Sequence, residues 1–208
     1  MRSVKHCLRL GAILTGISLT NPAGLARAAD AGLRITVRVR NYAYVEAETM
    51  MRAQQEVRRI YGEIGVETLW IDPDDSHPYP PRPIDLNIIP RALEKLGARD
   101  GSLGITPGEG PNRVWVYVFY DRVEDLAHKQ LAAVAQKKFA RGATSAQILG
   151  YAMAHEIGHL LGLRHSPVGI MRAGWRWNDL LDLAYGDLVF TPQEAAVVRA
   201  EVQMRQQP

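Results

Sequence analysis

Residues 155–165 read HEIGHLLGLRH, and this stretch largely decides how the chain is interpreted. His155 and His159 are four residues apart, so on an α-helix their imidazoles lie on one face and can bind one metal ion. A continuing helix would carry His165 off that face, because each residue adds a rotation of about 100°. Gly162 can end the helix without strain and let the chain turn back. The spacing therefore predicts a metal site with three histidine ligands.

The number and type of these ligands are typical of a catalytic zinc ion. Three protein ligands leave the fourth tetrahedral position open to water, and zinc lowers the pKa of that water towards about 7. Glu156 follows the first histidine but is rotated around the helix, so it can accept the proton and deliver it to a leaving amine. Other divalent ions could replace zinc. We expect one Zn²⁺ held by His155, His159 and His165, with Glu156 as the general base.

The longer pattern resembles the signature of the metzincin zinc endopeptidases, His-Glu-x-x-His-x-x-Gly-x-x-His followed by a turn that contains methionine. Met171, in the GIMR sequence of residues 169–172, matches that methionine. Ser166, directly after the third histidine, resembles the matrixin branch, whose small secreted bacterial members are similar in size. The resemblance covers about residues 145–175. It implies that the Met171 thioether forms an apolar floor under the three imidazoles.

The resemblance also implies a fold and an activity. The fold is an α+β, metzincin-like (zincin) fold, in which a twisted mixed β-sheet and packed helices lie over the active-site helix. A small C-terminal subdomain that ends in a helix lies below the cleft. The implied activity is hydrolysis of peptide bonds inside a peptide or protein substrate. Ala173 stands where astacins and serralysins have a tyrosine, so we expect no fifth, switchable metal ligand.

In the metzincin fold the substrate lies extended along an edge strand above the active-site helix. Residues 101–106 are the candidate edge, with Gly104, Ile105 and Thr106 as candidate substrate-binding residues. A plain glycine-rich turn is the alternative for this segment. Trp175 and Trp177 follow the Met171 turn, so they could line the pocket for the residue after the scissile bond. We favour the alternative, in which they form the small core of the lower subdomain.

The first 28 residues have the pattern of a secretory signal peptide. Arg2, Lys5 and Arg9 precede an apolar stretch at residues 10–19 that is too short to span a bilayer, and Ala-Arg-Ala at residues 26–28 is a cleavage site. An N-terminal membrane anchor is the alternative. Cleavage would leave residues 29–208 as a single metzincin-like catalytic domain, exported to the periplasm or outside the cell.

Composition limits the partners of that domain. The chain has 208 residues, which suits one well-cored domain, and removing the four basic residues of the leader takes the formal charge from +3 to −1. We therefore expect no nucleic-acid partner and no stable membrane anchor after cleavage. The only cysteine, Cys7, leaves with the leader, so neither disulfides nor a propeptide cysteine that caps the zinc, as in matrixins, is expected. The sequence does not indicate the oligomeric state.

Other candidate metal ligands have weaker support. Asp72, Asp74 and Asp75 could bind Ca²⁺, but no complete loop motif surrounds them, so we favour a solvated acidic turn. His77 and His128 are interpreted as surface histidines and not as ligands of a second metal.

Hydrophobic periodicity gives the order of the elements. Strands are predicted at residues 33–39, 66–71, 84–89, 102–106 and 114–120, the last of them a central strand buried on both faces. Helices are predicted at residues 50–64, at residues 123–139 up to Gly142, and from Thr144 or Ser145 through the histidines. A last helix follows the capping box Thr-Pro-Gln-Glu at residues 191–194.

Two other functions remain open. One is a zinc-binding module that recognises peptides or a partner surface without cleaving them. Glu156 argues against it, because pure binding would not need a carboxylate at that position. The other is a dedicated processing protease that acts on a single partner protein.

Overall fold

The computed structural model describes residues 32–75, 77–79, 82–108, 114–137 and 141–207. The predicted signal peptide, residues 1–28, lies outside these ranges. The described residues form a mixed α/β fold of five strands and five helices. The strands are β1 (Leu33–Asn41), β2 (Val66–Ile71), β3 (Ile84–Ile89), β4 (Gly104–Ile105) and β5 (Trp115–Phe119). The helices are α1 (Ala47–Glu63), α2 (Tyr120–Lys137), α3 (Ser145–Leu160), α4 (Trp177–Tyr185) and α5 (Pro192–Gln206), and a 3₁₀ helix covers Glu94–Leu96.

The strands form one sheet in the order β2-β1-β3-β5-β4. Strand β1 pairs in parallel with β2 and β3, and β3 pairs in parallel with β5. Only β4 is antiparallel, and it lies at the edge beside β5. The alternation predicted for β1 is confirmed, since Ile35, Val37 and Val39 are buried on one face. Helix α3 packs against β5 and β4, the two strands at one edge of the sheet.

The prediction that residues 114–120 form the central strand was wrong. The central strand is β3, in which all six residues are buried, whereas β5 is next to the edge and Trp115 is exposed. Trp115 and Tyr117 lie on the opposite face from buried Val116 and Val118, and the Arg40 guanidinium lies 6.0 Å from the Trp115 ring centre. A continuous apolar run therefore did not mean burial on both faces, because aromatic residues tolerate a half-exposed position.

Helix α3, which carries the candidate site, packs closely against α1. A Cβ atom added to Gly150 would lie 2.7 Å from both the Ala53 carbonyl oxygen and Glu56 Cβ, so only glycine allows this approach. The buried Tyr61 hydroxyl also donates a hydrogen bond to the Ala154 carbonyl oxygen, at 3.0 Å. These contacts fix the position of α3 relative to the rest of the core.

The chain after Gly162 contains one helix that the sequence interpretation missed. Helix α4 has buried Leu180, Leu183 and Ala184 at helical spacing, and it ends at Gly186 in the left-handed conformation. The final helix, α5, is confirmed with its Thr191 capping box. Its Val198 and Val202 belong to the main core. None of the described helices has the length and apolar character needed to cross a bilayer.

Candidate metal centre and cleft

Helix α3 positions His155, Glu156 and His159. It begins with the predicted cap, since the Thr144 hydroxyl accepts a hydrogen bond from the Gln147 amide within a capping box. It ends just after His159, and Gly162 has a φ angle of 89°. That conformation favours glycine, because a side chain there would clash with the backbone. The turn brings His165 back towards the other two histidines, as the spacing predicted.

The three imidazoles converge through their Nε2 atoms. The Nε2 of His159 lies 3.0 Å from that of His155 and 3.2 Å from that of His165. His155 Nδ1 lies 2.8 Å from the Ile170 carbonyl oxygen, and His159 Nδ1 lies 2.9 Å from the Leu163 carbonyl oxygen. A carbonyl oxygen only accepts, so Nδ1 carries the proton in both rings and Nε2 presents a lone pair.

Facing lone pairs at these distances repel one another unless a cation lies between them. The cluster could therefore hold a metal ion, and it is the one group of this kind found among the described residues. Burial lowers the pKa of His155 to about 4, and partial burial together with the Arg99 charge lowers the pKa of His165. Both shifts favour neutral imidazole, which is the form that binds metals.

The methionine turn, residues 166–172, packs against the active-site helix. Met171 is 0 % exposed. A Cβ atom added to Gly158 would lie 2.8 Å from Met171 Sδ, so the glycine makes room for the thioether. The turn is closed by the Ser166 amide, which donates to the Met171 carbonyl oxygen at 2.9 Å. Met171 thus packs on α3 at Gly158, which lies between His155 and His159 in the sequence.

Glu156 is the most deeply placed charged group of the cleft, at 6 % exposure. Burial raises the pKa of its carboxyl to about 7, against the lowering effect of a hydrogen bond from Thr106. Thr106 Oγ1 lies 2.9 Å from Glu156 Oε2 and 2.7 Å from the Glu156 carbonyl oxygen. The sequence interpretation assigned Thr106 only to substrate binding and missed this contact, because the two residues are 50 positions apart.

The candidate edge at residues 101–106 contains a strand, β4, which confirms the strand interpretation over a plain turn. The Phe119 amide donates to the Leu103 carbonyl oxygen at 2.8 Å, and Gly104 lies opposite Val118. Hydrogen-bonded and non-bonded pairs alternate in an antiparallel ladder, so the main-chain groups of Gly104 point to the open side of β4. No described strand pairs with this side of β4, so its main-chain groups can pair with an extended chain.

Trp175 lies between the core and the cleft, and its role in binding a substrate stays a prediction. Its indole Nε1 donates to the Ile170 carbonyl oxygen at 3.1 Å, the same oxygen that accepts from His155. Its ring contacts Tyr151 edge-on, with 6.3 Å between ring centres, and it is half-buried against the core. The residue also lines the cleft. Trp177 is the first residue of α4.

The histidines and Glu156 line a cleft of about 1130 Å³. Its walls are residues 97–106, the turns on either side of Met171, and a face of α2 that the sequence did not assign to the site. Arg122 of α2 donates to the carbonyl oxygens of Arg99, at 3.0 Å, and Ser102, at 2.6 Å. It therefore ties the loop before β4 to the helix.

The weaker metal candidates lie apart from this cleft. His77 and His128 are exposed, as predicted for surface histidines. Asp75 accepts hydrogen bonds from the Tyr79 hydroxyl at 2.5 Å and from the His77 amide at 2.9 Å, which lowers the pKa of its carboxyl to about 2. The Asp72 carboxylate accepts from the Asp74 amide at 2.8 Å. These bonds are those of the acidic turn that the sequence favoured over a calcium site.

Comparisons with known proteins add no assignment to this geometry. No protein-family model matches the chain, and no curated protein matches it.

Proposed function

We propose that this protein is a zinc-dependent endopeptidase with a metzincin-like fold, exported after removal of residues 1–28. One observation carries the proposal: three histidine Nε2 atoms converge beside a buried glutamate, in a cleft that also contains the edge strand β4. Four tetrahedral ligands at about 2.0–2.1 Å from zinc are separated by about 3.3–3.4 Å. The observed 3.0 and 3.2 Å separations are close to that value, so the donor set fits zinc.

His155, His159 and His165 would hold the ion. When bound, zinc supplies Lewis acidity, which lowers the pKa of water and polarises a carbonyl group. Glu156 accepts the proton of the attacking water and later donates it to the leaving nitrogen. Its buried, cleft-lining carboxyl suits this role, because its pKa of about 7 lets it both accept and donate a proton near neutral pH.

The open side of β4 orients the substrate. Its main-chain groups at Gly104 can pair with an extended peptide, which supports an endopeptidase over hydrolysis of a small molecule. The order of the five strands, the Met171 turn and the glycine that ends α3 support the metzincin-like fold. In the described structure, the resemblance to the metzincin fold rests on these three features.

The first test is cleavage of a diverse peptide library by the zinc-loaded protein, read by mass spectrometry beside Glu156→Ala. We expect Glu156→Ala to keep one zinc per chain and to lose activity by about 100-fold or more, a typical contribution of general acid–base catalysis. Glu67→Ala, which removes an exposed glutamate on β2, is the matched control and should cleave normally.

The outcomes separate the competing functions. Retained hydrolysis in Glu156→Ala would refute the role of Glu156. If the wild type binds one zinc per chain and cuts nothing in the library, a single-substrate processing protease or a non-proteolytic recognition module replaces the general endopeptidase. Failure to bind zinc at all would refute the metal assignment.

A further inference from the structure

The edge strand touches Glu156 at two places, and neither contact is needed for pairing with a substrate. Gly104 and Thr106 are two residues apart, so they lie on the same face of the strand, and Ile105 lies on the other. A Cβ atom added to Gly104 would lie 2.7 Å from Glu156 Cγ, and Thr106 Oγ1 lies 2.9 Å from Glu156 Oε2. On the side that meets α3, this segment therefore places a glycine and a hydrogen-bonding hydroxyl next to the Glu156 side chain.

We propose that Thr106 is a positioning residue that orients the Glu156 carboxylate, so that the strand expected to bind substrate also holds the general base. The inference rests on the proposed function, because it assigns Thr106 a part in the proton transfer by Glu156. It differs from the assignment of Thr106 as a substrate-binding residue, since the hydroxyl acts through Glu156 and not on the peptide.

The Thr106 hydroxyl bridges two parts of the same residue. It is within hydrogen-bond distance of the Glu156 main-chain oxygen, at 2.7 Å, and of the side-chain oxygen Oε2, at 2.9 Å. A glutamate side chain has three rotatable bonds, and this bridge ties its far end back to the helix. The carboxylate is thus held in one orientation relative to the histidines on the same helix.

The bridge also distinguishes the two carboxylate oxygens. Oε2 is occupied by Thr106, whereas Oε1 has no hydrogen-bond partner among the described residues. Gly104 lies beside Oε1 and leaves space there, since a Cβ atom would come within 2.9 Å of it. Oε1 therefore remains available as a proton acceptor while Oε2 is hydrogen-bonded to Thr106.

A loss of this orientation should lower the catalytic rate and leave binding intact. Misplacement of a reacting group by about 1 Å can reduce the rate by about 100-fold. His155 and His159 do not depend on Thr106 for their Nδ1 hydrogen bonds, which go to the carbonyl oxygens of Ile170 and Leu163. Zinc affinity should therefore be the same with and without the hydroxyl.

The test compares Thr106→Val, which removes the hydroxyl at nearly constant shape, with Thr106→Ser, which keeps it. In the zinc-loaded protein, we expect Thr106→Val to lower kcat by about 10- to 100-fold with KM and zinc content unchanged. Thr106→Ser should recover most of kcat. Thr68→Val is the matched control, because Thr68 is a buried threonine on β2 whose hydroxyl has no partner among the described residues.

Two kinetic outcomes would overturn the inference. A wild-type kcat in Thr106→Val would show that the hydroxyl is dispensable. An equal loss of kcat in Thr106→Ser and Thr106→Val would show that the shape of the side chain matters and its hydrogen bond does not.

A second measurement does not depend on peptide cleavage. The carboxyl carbons of glutamate are labelled with ¹³C, and the Glu156 signal is assigned by its absence in Glu156→Gln. We expect this signal to move in Thr106→Val and to stay near its wild-type position in Thr106→Ser and Thr68→Val. If the wild type cleaves no peptide, the proposed function fails. The spectra still show whether the Thr106 hydroxyl orients the Glu156 carboxyl group. A signal that does not move in Thr106→Val refutes the inference.

Discussion

The three histidines are held by two different kinds of structure. His155 and His159 belong to α3, where regular helix geometry sets their spacing and the Thr144 capping box and α1 fix the helix. His165 belongs to an irregular segment that begins at Gly162 and continues through the methionine turn. We call the first the helical half of the site and the second, residues 162–176, the turn half.

The two halves contribute different properties. The helix determines how far apart two imidazoles are, but it does not decide which nitrogen of each ring carries the proton. That choice is made by carbonyl oxygens of the turn half, Ile170 for His155 and Leu163 for His159. Because hydrogen bonds behind a ligand orient its ring and raise its basicity, metal affinity should depend on the turn as much as on the helix.

The largest expected effect that distinguishes the two halves comes from truncating Met171, a buried side chain of the turn half. Met171→Ala removes a fully buried side chain and should cost about 2–5 kcal/mol of unfolding free energy. Because Ile170 is its neighbour, we also expect metal affinity to fall by about 10- to 100-fold, the range found when groups behind a ligand are altered. Urea unfolding and metal titration would measure the two effects.

The matched variant in the helical half is Met153→Ala, since Met153 is equally buried within α3. It should lose a similar amount of stability but keep its metal affinity, because helix geometry still spaces the histidines. Met171→Leu, which conserves volume, should cost less than about 1.5 kcal/mol. Equal loss of metal affinity in the two alanine variants would remove the distinction between the halves.

A smaller effect is expected from pH in the metal-free protein. Burial lowers the pKa of His155 from 6.5 to about 4, so between these values the unfolded chain binds a proton that the folded chain does not. The contribution of His155 to stability is therefore present above pH 6.5 and is lost as the pH falls towards 4, by up to about 3 kcal/mol. The raised pKa of Glu156 acts in the opposite direction, because between pH 7 and pH 4.5 its folded carboxyl binds a proton that the unfolded one does not.

Urea unfolding of the metal-free wild type and of His155→Asn, each at pH 7 and at pH 4.5, would isolate the His155 contribution as the difference between the two proteins. The variant lacks the titrating ring, so on acidification its stability should become higher relative to that of the wild type. An equal fall in the wild type and the variant would mean that other groups, and not His155, cause the acid sensitivity.

The sequence predicted features that depend on local contacts, and it did not predict those that depend on contacts between distant residues. The helix through His155 and the turn at Gly162 depend on residues within a few positions of each other, and periodicity and glycine chemistry predicted both. The contact between Thr106 and Glu156 depends on how β4 pairs with β5 and on which face meets α3. No local pattern contains that information.

Two other differences have separate physical causes. The apolar run around Trp115 was expected to be buried on both faces, but side-chain character does not tell which face of a strand is covered. The sequence interpretation contained no helix α4, although Leu180, Leu183 and Ala184 have helical spacing and Gly186 can end a helix there. The second case was predictable from the sequence, whereas the first required the sheet order.

The smallest expected effect concerns an oxygen of the turn half that accepts hydrogen bonds from both halves. The Ile170 carbonyl accepts from His155 and from Trp175, so Trp175→Phe removes one of the two bonds and keeps an aromatic ring against Tyr151. A typical hydrogen bond contributes about 0.5–1.5 kcal/mol, so metal affinity should fall by no more than about 10-fold. Trp70→Phe is the matched control, because the Trp70 indole nitrogen is buried without a partner among the described residues. If metal titration finds the same affinity in both variants, the Ile170 oxygen holds His155 without help from Trp175, and the turn half acts through its main chain alone.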